Sequence, residues 1–113
     1  MKRLALALLV GCVDAPVPIE DYPCPPAGTT LTYESFGEAW LGANCGICHS
    51  ADGGHRHGAP ESYRFDTLDD VRAHEARIFV RAAATNTTMP PGPDDPPAEE
   101  RDRLAEWLAC GAP

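Results

Sequence analysis

The stretch NCGICHS, residues 44–50, decides how the rest of the chain is read. In it Cys45 and Cys48 stand three positions apart and His49 follows the second thiol directly. That pattern suits three chemistries: a redox-active dithiol, a zinc site, or covalent attachment of haem c. A redox C-x-x-C pair belongs beside a βαβ unit, but residues 35–44 carry a helical pattern and no convincing alternating strand occurs anywhere. A structural zinc site usually combines two separated ligand couples. Here the third donor adjoins the second, and the fourth would have to come from His55, His57 or His74. Haem attachment needs two thiols one helical turn apart for the vinyl groups and an imidazole next to them for the iron. It is the reading that accounts for most of the surrounding chain.

Three helical stretches are expected, which makes the fold class all-α. The first opens at Ser35, with Ser35 and Glu38 in capping-box spacing and with Phe36, Trp40 and Leu41 on one apolar stripe leading into the cysteines. The second opens at Thr67 with Asp70 three residues on; Leu68, Val71, Ile78 and Ala82 recur at helical spacing, with room for a bend near Ala76. The third begins near Pro97, places Glu99 and Glu100 in its first turn, buries Leu104, Trp107 and Leu108, and stops at Gly111. Between them, residues 50–66 and 84–96 are long loops rich in Gly and Pro with few aliphatic side chains. Such a chain has too little apolar mass for a well-filled core of its own, so something else must fill the middle.

With these features the chain resembles the small monohaem, class I-like cytochromes c, from about Thr32 to Pro113. The resemblance implies a small fold of about three main helices wrapped around one haem c joined to Cys45 and Cys48. Phe36 or Trp40, and Trp107, match the aromatics of two crossing helices in that family. Pro60, in HGAP, matches a proline whose backbone carbonyl accepts the Nδ1–H of the proximal imidazole. His49 and Met89, the latter in TNTTMPPGP, match the iron ligands; Met1 is the only other methionine. His55 and His57 read as solvated, whereas His74 on the second helix is the rival sixth ligand. Trp40, Tyr63 and Arg64 are candidate donors to the haem propionates. The function implied is one-electron transfer without a catalytic residue. The alternatives are a peroxidase-like enzyme or gas sensor with an open sixth position, for which His74 and Arg77 are the distal candidates, and a haem module of a larger membrane complex. No lysine ring of the mitochondrial kind is present.

The N-terminus points to export. Lys2 and Arg3 precede an apolar run from Leu4 to Val10, too short to span a bilayer and suited to a signal peptide. The following LVGC resembles the bacterial lipoprotein signal, which implies removal of residues 1–11 and a lipid on Cys12. Residues 12–31, with the Pro-rich DAPVPIEDYPCPPAGTT, read as an extended tether, and residues 32–113 as the haem domain. If Cys12 is lipidated and Cys45 and Cys48 serve the motif, Cys24 and Cys110 remain, and an exported protein is expected to join them. Of nine basic side chains, Lys2 and Arg3 fall in the signal, leaving seven against 17 acidic and a net charge of −10. Such a chain does not bind nucleic acid by charge. The expected setting is the bacterial cell envelope, facing the periplasm, with a monomer docking to a redox protein that presents a basic face.

Overall fold

Thr32 starts the helical part of the chain. Its Oγ1 accepts the Ser35 N–H at 3.1 Å while Ser35 Oγ accepts the Thr32 N–H at 2.9 Å, so two orphan donors are satisfied reciprocally. Helix entry therefore lies three residues before the Ser35 that the Ser35/Glu38 pattern suggests, and Ser35 serves as the cap's partner. A π-helical turn, Tyr33–Gly37, leads into α1, Glu38–Asn44, and a kink at Cys45 separates it from the single turn of α2, Gly46–His49. The second stretch opens as expected, with a reciprocal cap between Thr67 and Asp70. It is broken at His74, two residues before Ala76, into α3, Leu68–Ala73, and α4, Glu75–Ala82. After Pro97, α5 runs from Ala98–Ala109 and closes at Gly111, whose φ of +86° favours glycine. There the Ala112 N–H donates to the Trp107 carbonyl at 3.0 Å.

This computed structural model describes residues 11, 14–52 and 55–113. Cys12, the expected lipidation site, and residues 1–10 of the expected signal segment lie outside the described residues. Among those described, the regular structure is entirely helical, and no helix is long and apolar enough to cross a membrane.

The three apolar stripes meet. Val71, Phe79, Leu104, Trp107 and Leu108 are fully buried, with Phe36, Trp40 and Leu41 closing the cluster from the first stretch. Gly37 sets the spacing: a Cβ there would lie 2.5 Å from two carbons of the Trp107 ring, so the absence of a side chain lets the first stretch lie directly on α5. Phe36 meets the same indole edge-on, with centroids 6.1 Å apart. The helices thus bury a contiguous core of their own, more than their lean composition suggests, and the open space lies to one side of it.

Residues 14–31 are not a free tether. Val17, Ile19, Tyr22 and Leu31 pack against the core, and a 3₁₀ turn, Ile19–Asp21, interrupts the extended run. The buried Asn86 side chain accepts the Val17 N–H at 2.9 Å and donates to the Val17 carbonyl at 2.8 Å, as a neighbouring strand would. Cys24 is bonded to Cys110, with Cα atoms 4.9 Å apart, and Thr29 Oγ1 donates to Glu106 at 2.6 Å. The segment is a strap laid over α4 and α5, with several anchors besides the cysteine.

Candidate functional site

α1 delivers its C-terminus to the cysteines. The Cys45 N–H closes on the Leu41 carbonyl at 2.8 Å, and the Cys45 carbonyl then accepts the Cys48 and His49 N–H groups at 3.2 and 2.9 Å. One tight turn thereby fixes both thiols and the imidazole. Both thiols are free, and burial, followed by the neighbouring Cys48, pushes Cys45 from 9.0 up to about 12. A redox dithiol needs the opposite, a stabilised thiolate, so this environment disfavours that chemistry. Zinc fares no better: among the described residues no three His, Cys, Asp or Glu side chains come together as a metal-binding group.

His49 is held from two sides. Its Nδ1 lies 2.7 Å from the Tyr63 carbonyl, and because a carbonyl only accepts, Nδ1 carries a proton, which in the neutral ring leaves the lone pair on Nε2. Phe65 stacks on the ring at 4.6 Å, and its own N–H donates to the His49 carbonyl at 2.8 Å. The carbonyl that orients the histidine is thus that of Tyr63 and not, as the resemblance suggests, that of Pro60. Pro60 instead accepts the Tyr63 N–H at 3.0 Å, making the turn that carries the Tyr63 carbonyl inward.

These groups line a cavity of about 680 Å³, within the roughly 300–1,000 Å³ range of small-molecule and cofactor sites. Cys45, Cys48 and His49 form part of its wall, Ile78 and Ala82 of α4 another, and Met89 with Pro90 and Pro91 a third. Ile47 and Met89, 70% and 37% exposed, are the exposed large hydrophobic side chains among the described residues, and both belong to this wall.

Of the expected polar contributors, Tyr63 lines the cavity, whereas Trp40 and Arg64 do not. Trp40 belongs to the core, where its Nε1 is buried without an acceptor, and Arg64 is exposed. The guanidinium groups on the wall are those of Arg56, Arg77 and Arg81, and Asp94 is the one acid beside them. Arg56 Nη1 is buried with no hydrogen-bond partner, an unusual cost that an anionic ligand would offset. His74 is absent from the wall: its Nε2 is 2.9 Å from the Ser62 carbonyl, which it therefore donates to, and its ring lies against Tyr63 at 4.8 Å. That bond occupies Nε2, and His74 thereby props the Tyr63 turn from outside the cavity wall. His57 is on the rim and His55 off it, both exposed.

The wall of this largely apolar cavity thus brings together two thiols, an imidazole, a thioether and three arginines. No family model matches this chain, and neither the curated proteins nor the solved structures give a match.

Proposed function

We propose that this chain is a monohaem c-type cytochrome, with a small cytochrome c-like fold, that carries single electrons and performs no catalysis. The observation that carries the proposal is that Cys45, Cys48, His49 and Met89, four residues singled out by their sequence pattern, line one largely apolar cavity. In this reading Cys45 and Cys48 form the thioethers to haem c, and His49 and Met89 are the iron ligands. When bound, the haem supplies a ferric/ferrous couple.

The protein's part is to hold and tune that couple. The Tyr63 carbonyl fixes the His49 tautomer and makes Nε2 a stronger donor. Met89 offers a soft thioether, which favours the reduced state and raises the potential. In this reading Ile78, Phe65 and Ala82 make part of the wall apolar, and Arg56, Arg77 and Arg81, which also line it, pair with the carboxylates in place of the expected Arg64 and Trp40. The wider surface stays acidic, which favours a redox partner with a basic docking face. Export to the periplasmic side of a bacterial membrane, with a lipid on Cys12 and a monomeric state, completes the proposal and rests on the sequence of the N-terminal segment.

The test is the intact mass of protein made in a host that attaches haem c. The expected mass exceeds that of the chain by one haem, and the excess is lost in a Cys45→Ala, Cys48→Ala double variant. A wild-type chain without added mass would overturn the proposal.

A further inference from the structure

Arg101 occupies the buried face of α5, in helical register with Leu104, Ala105 and Leu108, and is only 2% exposed. A leucine would fill that position without the cost of burying a charge. The guanidinium is barely compensated by an acid: its Nη2 is 3.7 Å from Asp95, whose side chain is 61% exposed, and makes no hydrogen bond. What it does meet is backbone. Nη1 donates to the carbonyls of Ala82 at 2.8 Å, Asn86 at 3.2 Å and Met89 at 2.7 Å, which lie at the end of α4 and along the loop that follows.

Met89 is consequently gripped at both ends of its backbone. Its carbonyl accepts from Arg101, and its N–H donates to the Arg81 carbonyl at 2.8 Å. The path into this loop is not one the chain would take freely: Ala84 has a φ of +54°, a left-handed conformation unfavourable for alanine, and its N–H is held by the Arg101 carbonyl at 3.0 Å. One residue thus fixes the start of the loop through its backbone and the end through its side chain.

We infer that Arg101 is the positioning residue that presents Met89 to the cavity, an inference that rests on the reading of Met89 as sixth ligand. Charged hydrogen bonds to the last carbonyl of α4 and to two carbonyls of the loop hold the thioether in place and resist its replacement by an outside ligand. Their loss raises the population of an open loop, and a competing ligand binds more tightly in proportion.

The experiment is a titration of the ferric holoprotein with imidazole, followed by loss of the sulfur-to-iron charge-transfer band, in wild type, Arg101→Met and Arg101→Lys. Arg101→Met keeps the length without donors and is expected to raise imidazole affinity about tenfold or more, with covalent haem and helix content retained. Arg101→Lys, which keeps the charge and can serve fewer carbonyls, falls between; it carries the test alone if Arg101→Met does not accumulate. Affinities within about twofold of wild type in the variants that fold would overturn the inference while leaving the ligand assignment intact. A wild type lacking the band would overturn the assignment and the inference with it.

Discussion

At the scale of single residues, the site owes its chemistry to where protons sit. His49 has its Nδ1 proton committed to the Tyr63 carbonyl, and Cys45 is kept as a neutral thiol by burial, with a pKa of about 12 in place of 9.0. The raised value means that, in unloaded protein, thiolate at Cys45 stays scarce well above the pH at which an ordinary thiol has ionised. In a Cys48→Ser variant, the rate of Cys45 alkylation by iodoacetamide should keep rising about tenfold per pH unit through the region near pH 9. A rate that levels there would contradict the buried setting. That Cys45, Cys48, His49 and Met89 line one cavity was suggested by the sequence because the first three form a recognisable spacing and the last is a lone thioether in a polar, proline-rich loop. Arg56 and Arg81 were not, because a loop arginine and a helix arginine look the same whether they face solvent or a cavity. Arg101 left a faint signal: it shares the helical stripe of Leu104 and Leu108, where a charge is out of place.

Among the elements, the decisive contact is that of the first helical stretch with α5. The stripes through Phe36, Trp40 and Leu41 and through Leu104, Trp107 and Leu108 were readable from spacing, and all six side chains are buried. Local rules placed the ends less well. The Ser35/Glu38 pattern competes with a Thr32/Ser35 pair three residues earlier, and the earlier pair wins; the Thr67/Asp70 cap had no such rival. The packing role of Gly37 depends on the position of the Trp107 ring, 70 residues away in the chain, which no local pattern contains. Gly37→Ala would gain up to about 1 kcal/mol of helix propensity and lose about 1–3 kcal/mol to overpacking. Because the indole is a rigid, buried obstacle, the clash outweighs the gain, and denaturant unfolding should show a net loss. Unchanged stability would mean that the two helices separate more easily than their contact implies.

For the whole molecule, the strap and the disulfide matter most. The Cys24–Cys110 bond spans 86 residues, so in the loop-closure view it removes about 4–5 kcal/mol of unfolded-chain freedom. A Cys24→Ser, Cys110→Ser double variant should unfold at markedly lower denaturant or temperature; an unchanged midpoint would show that Asn86 and the packed Val17, Ile19 and Tyr22 hold the strap unaided. The pairing followed from counting thiols, whereas the docking of residues 14–31 did not show in a proline-rich stretch without period. Besides the disulfide, its anchors are single apolar residues, the Thr29 hydroxyl on Glu106, and one asparagine 69 positions away from Val17. The lean composition did not foretell the contiguous core that the helices bury beside the cavity.

The central claim is that His49 and Met89 hold one haem iron between them. The absorption spectrum of the ferric holoprotein, compared with that of Met89→Ala, tests it most directly. A low-spin spectrum with a near-infrared sulfur-to-iron band that disappears in the variant is the predicted result. A high-spin wild type without that band, binding carbon monoxide at once when reduced, would contradict the claim and put an open-site enzyme or sensor in its place.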